Sequence, residues 1–449
     1  MTTSEQAMLS RFLHSQAASS LVLLLAAVGA VVWANSSAAG LYVALSHLDI
    51  GFSLADRSWH MHLAHWVKDG LMTVFFLVVG LEIKRELLIG ELADRRQAAL
   101  PVMAALGGAV VPALIYLGLN SGGAGVQGWG VPMATDIAFA LGILAVLGAR
   151  VPLAMKVFLT ALAIVDDLLA VLVIAVFYTA TIEPVALALA GGCLVVLAWM
   201  VRRKNQRRLV LLLPMLGVWL CMLNSGVHAT IAGVLIALAI PVRSGMEPEQ
   251  YFAVLRQQGR RMGDAEEWNR HSVVQNGRQR RAVSAIAEAS EEMLPLGLCL
   301  ERDLHVLQAF GILPLFALFA AGVTFDRAML ANFPSSIGLG IIIALVLGKP
   351  LGILALSWLT VRSGLGRLPA GMGWAQLTGV GFLGGIGFTM SIFVSELAFA
   401  EGPALAEAKL AVFLASLIAG LAGLVFLFFA LPRRGKKEEN RSRDSVVGG

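Results

Sequence analysis

Ala161-Leu162-Ala163-Ile164-Val165-Asp166-Asp167-Leu168-Leu169 sets two adjacent carboxylates inside the apolar window Leu153–Thr179. About 20 apolar residues suffice for a helix to cross a bilayer, so this window spans with its acids near mid-depth. The composition agrees with that reading. Hydrophobic residues make up 58% and charged residues 14%, against roughly 45–50% and 25% in soluble domains. An ordinary soluble enzyme and a disordered chain are both excluded. The 47 glycines follow no Gly-X-Y period, so a collagen-like chain is excluded too.

Further apolar windows of similar length flank this one: Ala17–Ala34, Val67–Glu82, Ala98–Leu119, Val131–Leu147, Pro184–Val201, Leu209–Met222, Val227–Pro241, Val306–Val323, Ser336–Leu359, Ala375–Phe399 and Leu405–Leu431. The fold class is therefore an all-α polytopic membrane protein of about twelve transmembrane helices. Ala17–Ala34 is read as an uncleaved span, because Arg11 alone precedes it where a signal peptide carries a basic region. The seventh and eighth windows are short and read as one tight hairpin around Leu223-Asn224-Ser225-Gly226.

Lysine and arginine set the orientation. With both termini in the cytoplasm, 29 of the 34 basic residues fall inside and only Arg57, Lys68, Arg327 and Lys409 fall outside, while Lys349 stays within a span. An odd helix count would destroy this asymmetry. The basic residues are thus topological, and no nucleic-acid partner is expected. The chain divides into a first membrane half (1–242), a cytoplasmic, partly disordered polar loop (243–305), a second membrane part (306–432) and a basic cytoplasmic tail (433–449). Outside the spans, Asn35–Lys68 contains alternating stretches at Leu41–Leu45 and Ile50–Leu54 that suit a short external β-hairpin. Glu249–Arg256 suits an interfacial amphipathic helix, and the stretch around Asn276–Arg281 reads as flexible. Cys193, Cys221 and Cys299 fit no metal or redox spacing.

The informative residues are the charges set in hydrocarbon: Asp136, Asp166, Asp167 and Lys349. Each costs roughly 2.5–3.5 kcal/mol against an apolar residue, about 10–14 kcal/mol together. Neighbouring helical residues point about 100° apart, so Asp166 and Asp167 cannot both face one ligand. One carboxylate is expected to face an ion cavity and the other a cation on another helix, such as Lys349. Burial and mutual repulsion oppose two negative charges at this point, so the pair can take up and release protons. Carboxylate oxygens also suit a small hard cation. Competition of proton and cation for one site is sufficient for exchange.

Backbone breaks accompany these charges. Pro132 precedes Asp136 in the fourth window, and Gly381, Gly384, Gly385 and Gly387 interrupt the eleventh. Irregular backbone at membrane depth is tolerated only beside protein or water, and paired interrupted helices mark a transporter binding site. Helices three to five and ten to twelve are candidate inverted repeats, with the fourth and eleventh discontinuous. Asp136 and Lys349 can offset the opposed helix dipoles at their crossing.

Six ordered stretches carry a resemblance: Phe75–Glu86 (ending Gly80-Leu81-Glu82-Ile83-Lys84-Arg85-Glu86), Ala134–Gly142 (opening Ala134-Thr135-Asp136), Leu162–Leu168 around the acid pair, Ser225-Gly226-Val227-His228-Ala229-Thr230, Gly348-Lys349-Pro350-Leu351-Gly352 and Gly385-Ile386-Gly387-Phe388-Thr389-Met390-Ser391. The chain resembles the NhaA-type Na+/H+ antiporters, which the motifs cover nearly throughout apart from Met246–Leu304. The resemblance implies an electrogenic secondary antiporter of the cell inner membrane, with no cofactor and no enzymatic activity. It would export Na+ or Li+ as two H+ enter. The resemblance makes Asp167 the Na+ ligand and proton carrier, and Asp166 the partner of Lys349. Thr135, Asp136 and Gly384, Gly385 and Gly387 would form the broken-helix crossing. Glu82, Arg85, Glu86 and His228 would belong to the pH response, and the external hairpin near Ala44–Ser58 to a homodimer contact. Two positions depart from the family: Leu304 stands where a glutamate is expected at the start of helix nine, and Ala320 where an asparagine is usual.

Two other functions are compatible with a membrane protein bearing buried acids. A sodium-coupled organic-anion symporter would need a polar cavity for its substrate and no Lys349. An intramembrane aspartyl protease using Asp136 and Asp166 would carry a Gly-x-Gly-Asp motif, which is absent.

Overall fold

The protein, seen in a computed structural model, is described over residues 16–54, 57–179, 182–203, 208–262, 276–325, 331 and 333–431. Arg11, Arg327 and the basic tail lie outside these residues. Among the described residues, seven helices are long and apolar enough to cross a membrane, or nine if each of two bent pairs counts as one span. The seven include Leu153–Phe177, Ser336–Arg362 and Pro403–Ala430.

In chain order, α1 is Gln16–Ala34 and α2 is Ala39–Ser46. Strands β1 (Asp49–Leu54) and β2 (Arg57–His62) pair antiparallel, with Asp49 opposite His62 and Leu54 opposite Arg57. Of the two alternating stretches in this region, Ile50–Leu54 is a strand, whereas Leu41–Leu45 lies in α2. Its alternation is overruled because Tyr42 turns inward and donates to Leu318 O at 2.8 Å.

Next come α3 (Met72–Leu88), entered through a π turn at Trp66–Leu71, and α4 (Arg95–Asn120). A 3₁₀ segment, Ala124–Met133, leads to α5 (Ile137–Leu147). Then follow α6 (Leu153–Phe177), α7 (Pro184–Arg202), α8 (Arg208–Leu223) and α9 (Ile231–Ala239). At about 1.5 Å per residue, α9 covers less than half of the ~30 Å hydrocarbon layer. The predicted windows Val67–Glu82 and Leu209–Met222 are helical and Val227–Pro241 holds only the short α9, but none is long and apolar enough to count as a span, so nine rather than twelve are counted among the described residues. Lys84 donates to the carbonyls of Leu238 and Ile240, closing the end of the short α9.

The polar stretch after residue 242 differs from its reading. Helix α10 (Pro248–Met262) includes the expected Glu249–Arg256, but Asn276–Arg281 opens a second helix, α11 (Gly277–Met293), capped by the Asn276 side chain. Gln279, Ala282 and Ala289 are buried, and Tyr251 meets Ser290 at 3.1 Å across the α10–α11 pair. A narrow seam around Gln279, Ala282 and Ala289 holds this helical hairpin, whose link, 263–275, lies outside the described residues. The following span also begins earlier than expected. It runs from α12 (Leu296–Leu307) through a π turn at Gln308–Ile312 into α13 (Leu313–Ala320).

The last group comprises α14 (Ser336–Ile343), a π turn at Ala344–Gly348, α15 (Lys349–Arg362), α16 (Trp374–Gly384), α17 (Phe388–Ala398) and α18 (Pro403–Ala430). Without a hydrophobic drive inside lipid, helices pack through small residues that let backbones meet. Helices α4 and α15 touch at Gly107 and Gly352, where a Cβ on either would collide with the other's carbonyl oxygen. Gly352→Ala should therefore lower stability by about 1–3 kcal/mol, the usual overpacking range. Thermal melting of the detergent-purified protein checks this.

Candidate broken-helix ion site

The two bent pairs cross at residues 134–136 and 385–387. The first pair turns by 40° between Gly125–Met133 and α5, and the second by 46° between α16 and α17. Each break frees backbone groups that lipid could not satisfy, and each takes its partners from the other. Thr135 Oγ1 donates to Gly384 O at 2.8 Å, Asp136 N to Ile386 O at 2.7 Å, and Ser391 Oγ to Val131 O at 2.7 Å.

Asp136 serves the starts of both following half-helices. Its carboxylate accepts from Phe139 N in α5 at 3.2 Å, and from Thr389 N in α17 at 3.2 Å together with the Thr389 hydroxyl. This is an N-cap shared by two helices, with a negative charge where two positive dipole ends meet. Phe388 has φ of +22°, the one positive value outside glycine among the described residues. Its N–H donates to Ser416 Oγ at 3.0 Å. Backbone strain of this kind is held where surrounding contacts over-determine it.

Lys349 is fully buried at the start of α15. Its Nζ donates to Asp166 Oδ2 at 2.7 Å and to the carbonyl of Met133, at the end of the first half-helix. One ammonium thus balances a carboxylate and a helix C-terminus at once.

Asp166 and Asp167 lie on α6 and are 1% and 4% exposed, yet they part company. Asp166 turns to Lys349. Asp167 lines a cavity of about 220 Å³ with Glu82, Thr135, Asp136, Thr160 and Thr389 among its walls. Asp167 Oδ1 has no hydrogen-bond partner in the protein. A buried carboxylate oxygen without a partner is costly, and among the largely apolar lining stand the carboxyl groups of Glu82 and Asp136 and the hydroxyls of Thr135, Thr160 and Thr389, oxygen donors of the kind a hard cation takes.

The cavity continues past Glu82 to Glu301, His305 and Gln308 of the α12 span. Arg85 pairs with Glu301 at 3.3 Å and with Glu86 at 3.1 Å. Glu82, Arg85 and Glu86 are thus brought together. His228 is not with them. It lies beside Asp69 at 4.0 Å and against the Phe393 ring. Asp69 precedes Glu82 by more than three helical turns, roughly 20 Å along the helix axis. Glu301 is a site residue that its sequence context does not announce, and Leu304 still stands where the family's glutamate is expected. An acid does stand in this helix, one turn earlier, and the apolar run Leu296–Leu300 before it was the signal that the helix had already begun. Thr389 lay within a quoted motif, but nothing in its spacing announced the bond to Asp136.

A family model described as Na+/H+ antiporter 1 matches residues 10–427. The chain belongs to this Na+/H+ antiporter family. A relative from Oleidesulfovibrio alaskensis named Na(+)/H(+) antiporter NhaA is 46% identical over 438 residues, covering 96% of this chain and 95% of the relative. One from Rhodopirellula baltica with the same name is 42% identical, covering 94% of each chain. A Sorangium cellulosum relative named Na(+)/H(+) antiporter NhaA 2 is 46% identical, covering 93% of this chain and 88% of its own length. Membership of this antiporter family makes the protein a multi-pass membrane transporter and not an enzyme.

Proposed function

We propose that the protein exchanges Na+, or Li+, for H+ across the cell inner membrane, using Asp167 as the shared carrier. The observation that carries this reading is the parting of the two acids: Asp166 is held by Lys349, while Asp167, and not Asp166, lines the cavity. Na+ or H+ occupies Asp167 in turn, and Asp166 joins when Lys349 releases it. Two protons moving inward for each Na+ moving outward makes the exchange electrogenic. The crossing moves as one body to present the site to either side.

The basic-residue asymmetry supports an orientation with Glu82 and Glu301 toward the cytoplasm, and Lys68 and Lys409 toward the outside. It equally supports cytoplasmic termini and the division of the chain at residues 242, 305 and 432. The group Glu82, Arg85, Glu86 and Glu301 is suited to tune the cytoplasmic mouth, with His228 acting from the far end of α3. The three-span groups α4 to α6 and α14 to α18, each with a broken middle span, are read as inverted repeats. The β1–β2 hairpin leaves unpaired strand edges, which suit pairing in a homodimer.

An organic anion fits less well, since about 220 Å³ falls below the usual ~300–1,000 Å³ of organic-ligand pockets. An aspartyl dyad fits less well too, because Asp136 and Asp166 are each committed to structural partners. Proton flux in proteoliposomes tests the reading. Na+ and Li+ should release protons, K+ should not, and an imposed voltage should change the rate. Flux indifferent to both cation and voltage would overturn it.

A further inference from the structure

We propose that Glu396, clasped by Lys68 and Lys409, is a latch that keeps the outer side of the ion path closed. The inference rests on the alternating-access reading above and goes beyond it by naming the outer closure.

Lys68 Nζ lies 2.7 Å and Lys409 Nζ 2.8 Å from the same oxygen, Glu396 Oε1. Glu396 and Lys409 are nearly buried, so the pairing is shielded from the screening that weakens exposed ion pairs. Three elements meet at this one oxygen. Glu396 sits on α17, whose first turn holds Asp136 through Thr389. Lys68 sits in the π turn that leads into α3, and Lys409 sits on α18.

Position gives the cluster its meaning. Glu396 lies about 10 Å beyond Thr389 along α17. The Asp167 cavity leaves the crossing the other way, past Glu82 on α3 and Glu301 on α12. Lys68 and Glu82 are separated by roughly 20 Å of helix. The open path and the clasped glutamate therefore occupy opposite ends of α3. Glu401, Tyr42 and three histidines (His47, His62 and His65) line the cavity of about 320 Å³ that lies over the cluster.

The two lysines do different work. Lys409 belongs to α18, which follows α17 after a short turn, and keeps its hold when α17 moves. Lys68 belongs to the π turn ahead of the neighbouring α3, so its bond must break for α17 to swing away and expose Asp167 outward. A charged pair that leaves a nearly buried site for water can re-form without other partners, which makes the closure reversible.

Two measurements test this in a background where Cys193, Cys221 and Cys299 are replaced by alanine. In the first, Lys68→Cys and Glu396→Cys are bridged by a bis-methanethiosulfonate linker. Bridged protein, verified by mass, should lose Na+/H+ exchange and regain it with dithiothreitol. Bridged protein that exchanges at its unbridged rate would overturn the latch. In the second, Ser395→Cys reports on the buried wall between Glu396 and the crossing. Adding Glu396→Gln should speed its labelling by a membrane-impermeant thiol reagent from the outer side at least several-fold. Unchanged labelling would overturn the latch even if the cysteine pair fails to fold. Failure of the exchange mechanism itself shows separately, as an Asp167→Asn protein that still transports.

Discussion

Asp167→Asn abolishes Na+-dependent proton release from everted vesicles, down to the level of vesicles lacking the protein. The amide keeps the shape of the side chain but can neither lose a proton at cellular pH nor offer a full negative charge to a cation. The fold tolerates the change, because Asp167 Oδ1 makes no hydrogen bond within the protein and the residue sits on a cavity wall. Expression and melting temperature therefore stay near those of the parent while transport disappears. Retained exchange at any substantial fraction of the parent rate would remove Asp167 from the mechanism. Glu82 and Glu301, two further acids on the same cavity, would then be the carriers to test.

Lys349→Ala has its largest effect on stability. The lysine satisfies Asp166 and the Met133 carbonyl together, and its loss leaves both buried without it. Removing one partner of a buried ion pair costs about 3–5 kcal/mol, because the remaining charge is uncompensated. The melting temperature falls sharply, and the pH profile of residual exchange moves, since Asp166 has lost its cation. A double variant, Lys349→Ala with Asp166→Asn, recovers part of the loss. That recovery in a double-mutant cycle separates the pair interaction from simple packing. A single variant that melts with the parent would refute the coupling.

Much of the site was legible because lipid makes charge conspicuous. Asp136, Asp166, Asp167 and Lys349 stood out as the charges that hydrocarbon penalises. Pro132 and the glycines of the eleventh window marked backbone that lipid alone would not accept. The structure brings these same residues to one crossing. What stayed hidden lay where that contrast fails. Glu301 falls in a stretch whose polar composition masks the helix start at Leu296, ten residues before the apolar window opens at Val306. The α10–α11 hairpin was hidden for a related reason. Composition reports whether a segment can build a core, but two helices can meet on a seam as slight as Gln279, Ala282 and Ala289. The place of His228 was hidden as well: it lies 4.0 Å from Asp69 of the π turn ahead of α3, and away from Glu82. Lys68 and Lys409 count in the sequence only toward topology, and nothing along the chain links them to Glu396.

The doubly shared carboxylate at position 136 changes how genetics at this locus must be interpreted. A replacement there unseats the beginnings of two separate rods in one stroke, so an inactive mutant would be no proof that this acid ever ferries an ion. Damage to architecture and loss of a passenger seat would look alike in a growth assay. Only a substitute that keeps accepting from Phe139, Thr389 and its hydroxyl, while changing acidity, could tell them apart.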